Sequence, residues 1–288
     1  MSKELDLLKQ LRDITGAGIL DCKKYLLKAN SDINEAIKLM RSEEGIKADK
    51  KSGRIAAEGV IYFYPSTEKS LLIEINSETD FVARSDDFLD YVTNVCKFLA
   101  TTKYENLTIL HESNDQQVLD NLESERKKII TKLGENIKIR RYQIFNHNEL
   151  FITGYTHNNK IGAVVILEKE NNEIAKDICM QIVASNPVAL DEQSIDSSIL
   201  LNEKEVYKAE LDKINKKEDI KRNILEGKVK KFISDNTLIN QPYIKDNTTT
   251  LKKILKDNKV KSYIRYQLGE GIDKKEEDFA QEVYNQIK

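Results

Sequence analysis

Residues 59–100 read GVIYFYPSTEKSLLIEINSETDFVARSDDFLDYVTNVCKFLA, and the change of side-chain period within them decides the fold. Residues 60–64 are apolar or aromatic, Pro65-Ser66 offer a turn, and Leu71, Ile73 and Ile75 then alternate with Leu72, Glu74 and Asn76. A period of two on either side of a turn predicts a β-hairpin. Beyond a loop at 77–84, Ser85 is placed to cap a helix that carries Phe88, Tyr91, Val92, Val95, Phe98 and Leu99 on one face. A second helix with Val118, Leu122, Ile129 and Leu133 ends at Gly134, a residue that accepts the left-handed backbone of a helix end.

Downstream the plan recurs. Strands are predicted at 137–145, 150–155 and 161–167, then a helix through Ile174, Ile178 and Ile182, and a last strand at 262–268 that returns to the sheet. Two related α+β halves account for this, as a repeat of architecture and not of sequence. Between Asn186-Pro187 and Asn236 lie two charged helical segments with narrow apolar seams, one with Ile199, Val206 and Leu211, the other with Ile220, Ile224, Phe232 and Ile233. That pattern predicts an antiparallel helical hairpin inserted in the second half. Phe279, Val283 and Ile287 predict a closing helix.

Upstream, the first fifty residues predict three short helices. Leu5, Leu8 and Leu11 mark the first, and Thr15 is placed to cap a second with Ile19, Cys22 and Leu26. Asn30-Ser31 stop the second and cap a third, with Ile33, Ala36, Ile37 and Met40, which Gly45 ends. The polar stretch 46–54 then predicts a tether. The expected division is a helical module and connector at 1–54, a first core half at 55–136, a second at 137–272 with its hairpin at about 188–235, and a C-terminal helix at 273–288.

Composition narrows the function. Of 288 residues, 46 are Lys or Arg and 48 Asp or Glu, so no global positive field draws nucleic acid. A protein partner fits better, and no apolar run reaches the length of a membrane span. The N-terminal pattern has no signal-peptide core and carries acidic residues, so the expected location is the cytoplasm. The three cysteines, Cys22, Cys96 and Cys179, are widely spaced and suit a reducing compartment.

The chemistry of an enzyme is missing. His111, His147 and His157 are dispersed without metal-ligand spacing, and no Gly-x-Ser-x-Gly elbow accompanies them. Thr15-Gly16-Ala17-Gly18 joins two helices and lacks the Gly-Lys-Ser/Thr of a phosphate loop. Neither a catalytic residue, a bound metal nor a cofactor is expected.

What is present is a pair of motifs. Leu11-Arg12-Asp13-Ile14-Thr15-Gly16-Ala17-Gly18-Ile19-Leu20-Asp21-Cys22-Lys23-Lys24 resembles the opening helical module of bacterial elongation factor Ts, and Thr79-Asp80-Phe81-Val82-Ala83-Arg84 resembles that family's signature loop. Gly134-Glu135-Asn136-Ile137, Ala184-Ser185-Asn186-Pro187, Gln241-Pro242, Ile264-Arg265-Tyr266 and Gly269-Glu270-Gly271-Ile272 extend the likeness in matching order.

The resemblance implies an α+β fold with a ubiquitin-associated-like three-helix module, two core halves with antiparallel sheets, an inserted helical hairpin and a C-terminal helix. It implies a guanine nucleotide exchange factor that binds the GTPase elongation factor Tu, displaces Mg²⁺ and GDP, and permits GTP to rebind during translation elongation. No bond is made or broken in that work, so the chain is not expected to be an enzyme. Asp80 and Phe81 carry over as the residues that intrude near the partner's magnesium site, with Thr79 and Val82 flanking them. Leu11, Ile19, Leu20 and Lys23 match contact positions of the head, and His157 and Gly162 those of the second half. Each has a plainer alternative: Phe81 as a plug of its own core, the apolar head residues as the core of their bundle, and the head as a general adaptor on an unrelated scaffold.

Overall fold

The computed structural model describes residues 2–15, 18–148 and 150–272. Helices α1 (Ser2–Thr15), α2 (Ile19–Lys28) and α3 (Ile33–Lys51) form the head. Leu11, Cys22, Tyr25, Leu26, Ala36 and Met40 are buried together in its core. Local chemistry sets the corners differently from the sequence expectation. The Thr15 hydroxyl donates to the Leu11 carbonyl at 2.7 Å, so Thr15 finishes α1 and does not cap α2, whose cap position is Gly18. Asn30 and Ser31 turn the chain with φ of 49° and 64°, but the cap of α3 is Asp32, which accepts from the Glu35 N–H at 2.9 Å.

Helix α3 also runs straight through Gly45, where it was expected to end. A glycine inside a helix costs only about 1 kcal/mol relative to alanine. Here tertiary contact overrides that cost: α3 packs on a later helix, α7 (Gln116–Leu133), and Ala48 is wholly buried. The expected tether at 46–54 is therefore mostly helix.

The chain divides into two compact units. Of the described residues, the first takes those up to Val60, from Glu74 to Arg141 and from Leu268 onward; the second takes Ile61–Ile73 and Tyr142–Gln267. Strands β1 (Glu58–Tyr64), β2 (Lys69–Ser77) and β3 (Lys138–Asn146) form one sheet in that order. After β2 come α4 (Asp80–Ala83), α5 (Asp86–Ala100), α6 (Leu107–Ser113) and α7. The inward face of α5 is the one expected, with Phe88, Tyr91, Val92, Val95 and Leu99 buried. Phe98, expected on that face, is half-buried. Gly134 closes α7 with φ of 81°. Helix α6 was not foreseen, because only Leu110 of its seven residues is buried and the apolar period is too short to register.

In the first unit, one buried charge stands out. Glu74 has no exposed surface, and its carboxylate accepts from Arg140 Nη1 at 2.8 Å, Arg141 Nε at 2.6 Å and the Gly269 N–H at 2.9 Å. Burying a carboxylate is costly unless its lone pairs are filled. Here they are, and the clasp fastens residues 268–271 to β2 and β3.

The second unit holds β4 (Phe151–His157), β5 (Ile161–Leu167), α8 (Asn172–Ser185), α9 (Ser197–Asp212), α10 (Glu218–Asn236), β6 (Pro242–Tyr243), β7 (Asp246–Thr250), α11 (Leu251–Leu255) and β8 (Val260–Gln267). Its sheet runs β4-β5-β8, antiparallel throughout. Asn158 and Asn159, both left-handed, make the tight turn between β4 and β5, a backbone that asparagine accepts more readily than most residues. Ala163, Val165 and Leu167 of β5 share a core with Ile178, Cys179 and Ile182 of α8 and with Leu238, Leu251 and Leu255. Helices α9 and α10 form the expected hairpin, with a bridge between Ala189 and Thr237 closing its base. The fold is thus α+β with small antiparallel sheets. The expected C-terminal helix at 273–288 lies outside the described residues, and among those no helix is long and apolar enough to cross a membrane.

Candidate partner-binding site

The motif at 79–84 sits where β2 turns into α5. Thr79 caps α4, its hydroxyl oxygen accepting from the Val82 N–H at 3.3 Å, and Ser85 caps α5, accepting from the Phe88 N–H at 3.4 Å. The Ser85 hydroxyl in turn donates to the Val82 carbonyl at 2.8 Å, and the Ser77 hydroxyl to the Thr79 carbonyl at 2.9 Å. Two caps within six residues leave room for a single helical turn. Residues two apart on a helix are about 200° apart around its axis, so burying Ala83, 4% exposed, directs Phe81 outward, 83% exposed. Asp80 is held by Arg84, one turn on, at 2.8 Å. Val82 is half-buried beside them.

The turn is fastened from behind by a segment far off in sequence. The Glu135 carboxylate accepts from the Thr79 hydroxyl at 2.6 Å, the Thr79 N–H at 2.9 Å and the Glu78 N–H at 3.1 Å. Glu78 answers by accepting from the Asn136 N–H at 2.6 Å. The Asn136 side-chain amide donates to the Arg54 carbonyl at 2.8 Å and the Ser52 carbonyl at 3.3 Å, which brings the end of the head's third helix into the same junction. Sequence reasoning noted Glu135 as part of a motif and gave it no role.

The head residues fall in two classes. Leu11 is wholly buried in the bundle, whereas Ile19 is 53% exposed, Leu20 83% exposed and Lys23 exposed. Ile19 and Leu20, on the first turn of α2, line a cleft of about 1090 Å³ together with Arg12, Asp87, Tyr91 and Lys132. In the second unit, His157 is exposed at the end of β4, its Nδ1 3.1 Å from the Tyr155 hydroxyl. Gly162 pairs with Thr156 across the β4–β5 hairpin and is buried; a Cβ there would lie 2.5 Å from Ile61 Cγ2. Leu11 and Gly162 are thus both buried, unlike Ile19, Leu20, Lys23 and His157.

Reactive groups do not converge. No cluster of three or more His, Cys, Asp or Glu among the described residues could hold a metal ion. Cys22, Cys96 and Cys179 are all buried, and loss of solvation pushes the Cys179 thiol up to about 12 and the Cys96 thiol higher still. A thiol so shifted stays protonated and is a poor nucleophile.

The family model described as Elongation factor TS matches residues 78–270. A protein named Elongation factor Ts from Alkalilimnicola ehrlichii is 39% identical over 294 residues, covering 100% of this chain and 99% of its own. Namesakes from Thioalkalivibrio sulfidiphilus, 38% identical over 100% of this chain and 99% of theirs, and Francisella tularensis subsp. novicida, 40% identical over 98% and 97%, agree. With the exposed Phe81 turn inside the matched span and the likeness running the length of both chains, this protein belongs to the elongation factor Ts family and serves translation elongation.

Proposed function

We propose that the chain is the nucleotide exchange factor of the GTPase elongation factor Tu, binding it in the cytoplasm, displacing Mg²⁺ and GDP, and leaving the site open to GTP. The observation that carries this reading is a large apolar ring held almost fully in water by a doubly capped turn, with a carboxylate beside it. Withdrawing such a ring from water is worth about 1.5–3 kcal/mol, so its exposure makes sense as a surface awaiting a partner.

Exchange is a linkage between two ligands of one GTPase: the factor lowers nucleotide affinity by the ratio in which nucleotide lowers affinity for the factor. Emptying an almost fully loaded partner takes roughly 5.5 kcal/mol of differential binding, more than one phenylalanine supplies. The exposed Ile19, Leu20 and Lys23 of the head, and His157 of the second unit, supply further contacts. In this mechanism Phe81 wedges apart the elements that hold the metal while Asp80 competes for the groups around it, and phosphate affinity falls with the loss of Mg²⁺. The chain itself makes and breaks no bond and touches no nucleic acid.

Stopped-flow release of fluorescent GDP from preloaded elongation factor Tu tests this. Phe81→Ala is expected to slow release at saturating concentration by roughly tenfold or more, each factor of ten being about 1.4 kcal/mol of lost barrier lowering. Release as fast as with the unaltered chain overturns the wedge.

A further inference from the structure

The turn that carries Phe81 is too short to hold itself. A single helical turn makes few internal bonds, and its leading residues, Glu78 and Thr79, have backbone N–H groups with no helical or strand partner. Both donate to one side chain, that of Glu135, at 3.1 and 2.9 Å, and the Thr79 hydroxyl adds a third bond at 2.6 Å. All three donors belong to the two residues immediately before Asp80. A carboxylate has lone pairs enough for all three, and a charged acceptor binds about twice as strongly as a neutral one.

We infer that Glu135 is a positioning residue for exchange: its carboxylate sets the angle at which the β2–α4 corner presents Asp80 and Phe81. The inference rests on the reading of Phe81 as the wedge. Its physical basis is that the Glu135 carboxylate bonds Glu78 and Thr79, at the base of the turn, ahead of the two residues presented. The reciprocal bond from the Asn136 N–H to the Glu78 carboxylate prevents the two segments from sliding past each other. Arg54, 3.5 Å from Glu78, balances the second negative charge, so two carboxylates can lie side by side in one junction. Without Glu135 the Thr79 hydroxyl still caps Val82, but the base of the turn is released to water and Phe81 loses its fixed bearing.

A rate that depends on where a group points is sensitive to small displacements, a misplacement of about 1 Å being able to cost a hundredfold. A contact that merely adds affinity is not. Glu135→Ala is therefore expected to lower the rate of fluorescent GDP release at saturating chain by about tenfold, while the concentration for half-maximal effect moves less than about twofold. Glu135→Gln, of the same shape with one acceptor oxygen, is expected between the two. In a Phe81→Ala background, Glu135→Ala is expected to have a smaller effect than in the unaltered chain, since only Asp80 is then left to aim.

An unaltered release rate in Glu135→Ala overturns the proposal, and so do effects of the two substitutions that multiply. If the alanine variant fails to fold, Glu135→Gln carries the test, and a rate equal to that of the unaltered chain overturns it. Phe81→Ala separates this failure from that of the parent reading. Slow release with Phe81→Ala and normal release with Glu135→Ala sinks the positioning role alone, whereas normal release with Phe81→Ala sinks both.

Discussion

Arg141 Nε lies 2.6 Å from the carboxylate of Glu74, a residue with no exposed surface of its own. The pair is one arm of a clasp whose others are Arg140, the Gly269 N–H and the Asn76 side-chain amide. Removing one member of a buried pair strands the rest, at a cost of 3–5 kcal/mol in fully buried cases, roughly the upper bound here because both guanidinium groups keep some contact with water. Glu74→Ala is expected to destabilise the protein by roughly 3 kcal/mol in urea unfolding, and Arg140→Ala by less, since Glu74 keeps its donors from Arg141, the Gly269 N–H and the Asn76 amide.

Leu20 offers the reverse case. It is 83% exposed on the first turn of α2 and carries little of the head's packing. Leu20→Ala is expected to leave the melting temperature unchanged and to weaken binding to elongation factor Tu by roughly 1–2 kcal/mol, about five- to thirtyfold in Kd by calorimetry.

Gly162 separates packing from contact. A Cβ at this buried position meets Ile61 Cγ2 at 2.5 Å and Leu72 Cδ1 at 3.1 Å, and both neighbours are themselves wholly buried. Gly162→Ala is expected to cost about 1–3 kcal/mol of stability through overpacking, visible as a lower urea midpoint with no partner present.

His147 sets a pH dependence. Its Nε2 lies 2.8 Å from the Ser70 hydroxyl, and burial holds its pKa below the ordinary 6.5. As pH falls through 6.5 the unfolded chain takes up a proton that the folded imidazole resists. Stability contributed by this site is therefore complete above that value, declines below it, and levels off once the folded ring is also protonated. Urea midpoints at pH 7.5 and 5.5 are expected to differ more in the unaltered protein than in His147→Gln.

Much of the fold was legible because single residues carried single instructions. Ser85 caps α5 and Gly134 closes α7 where their chemistry said they would. Instructions issued by distant neighbours were not legible. Nothing near Gly45 announces that α7 will hold α3 together past it, and the one-turn α4 was expected as plain loop because its length is set by two caps acting at once. Of the candidate site, the residues were nameable and their depth was not. Leu11 and Leu20 look alike in a helical apolar pattern, yet one is sealed and the other bare. Glu135 was hidden for another reason: its partners lie 56 and 57 residues away, beyond the reach of any local pattern.

The uninterrupted third helix changes what capture of a partner costs. A string of loose residues between head and corner would surrender its conformational freedom only at the moment of docking, and affinity would fall by that amount. Here the freedom was given up when the chain folded, since the segment is helical to Lys51 and its next carbonyls, at Ser52 and Arg54, are gripped by Asn136. The protein arrives at its encounter with little slack left to lose.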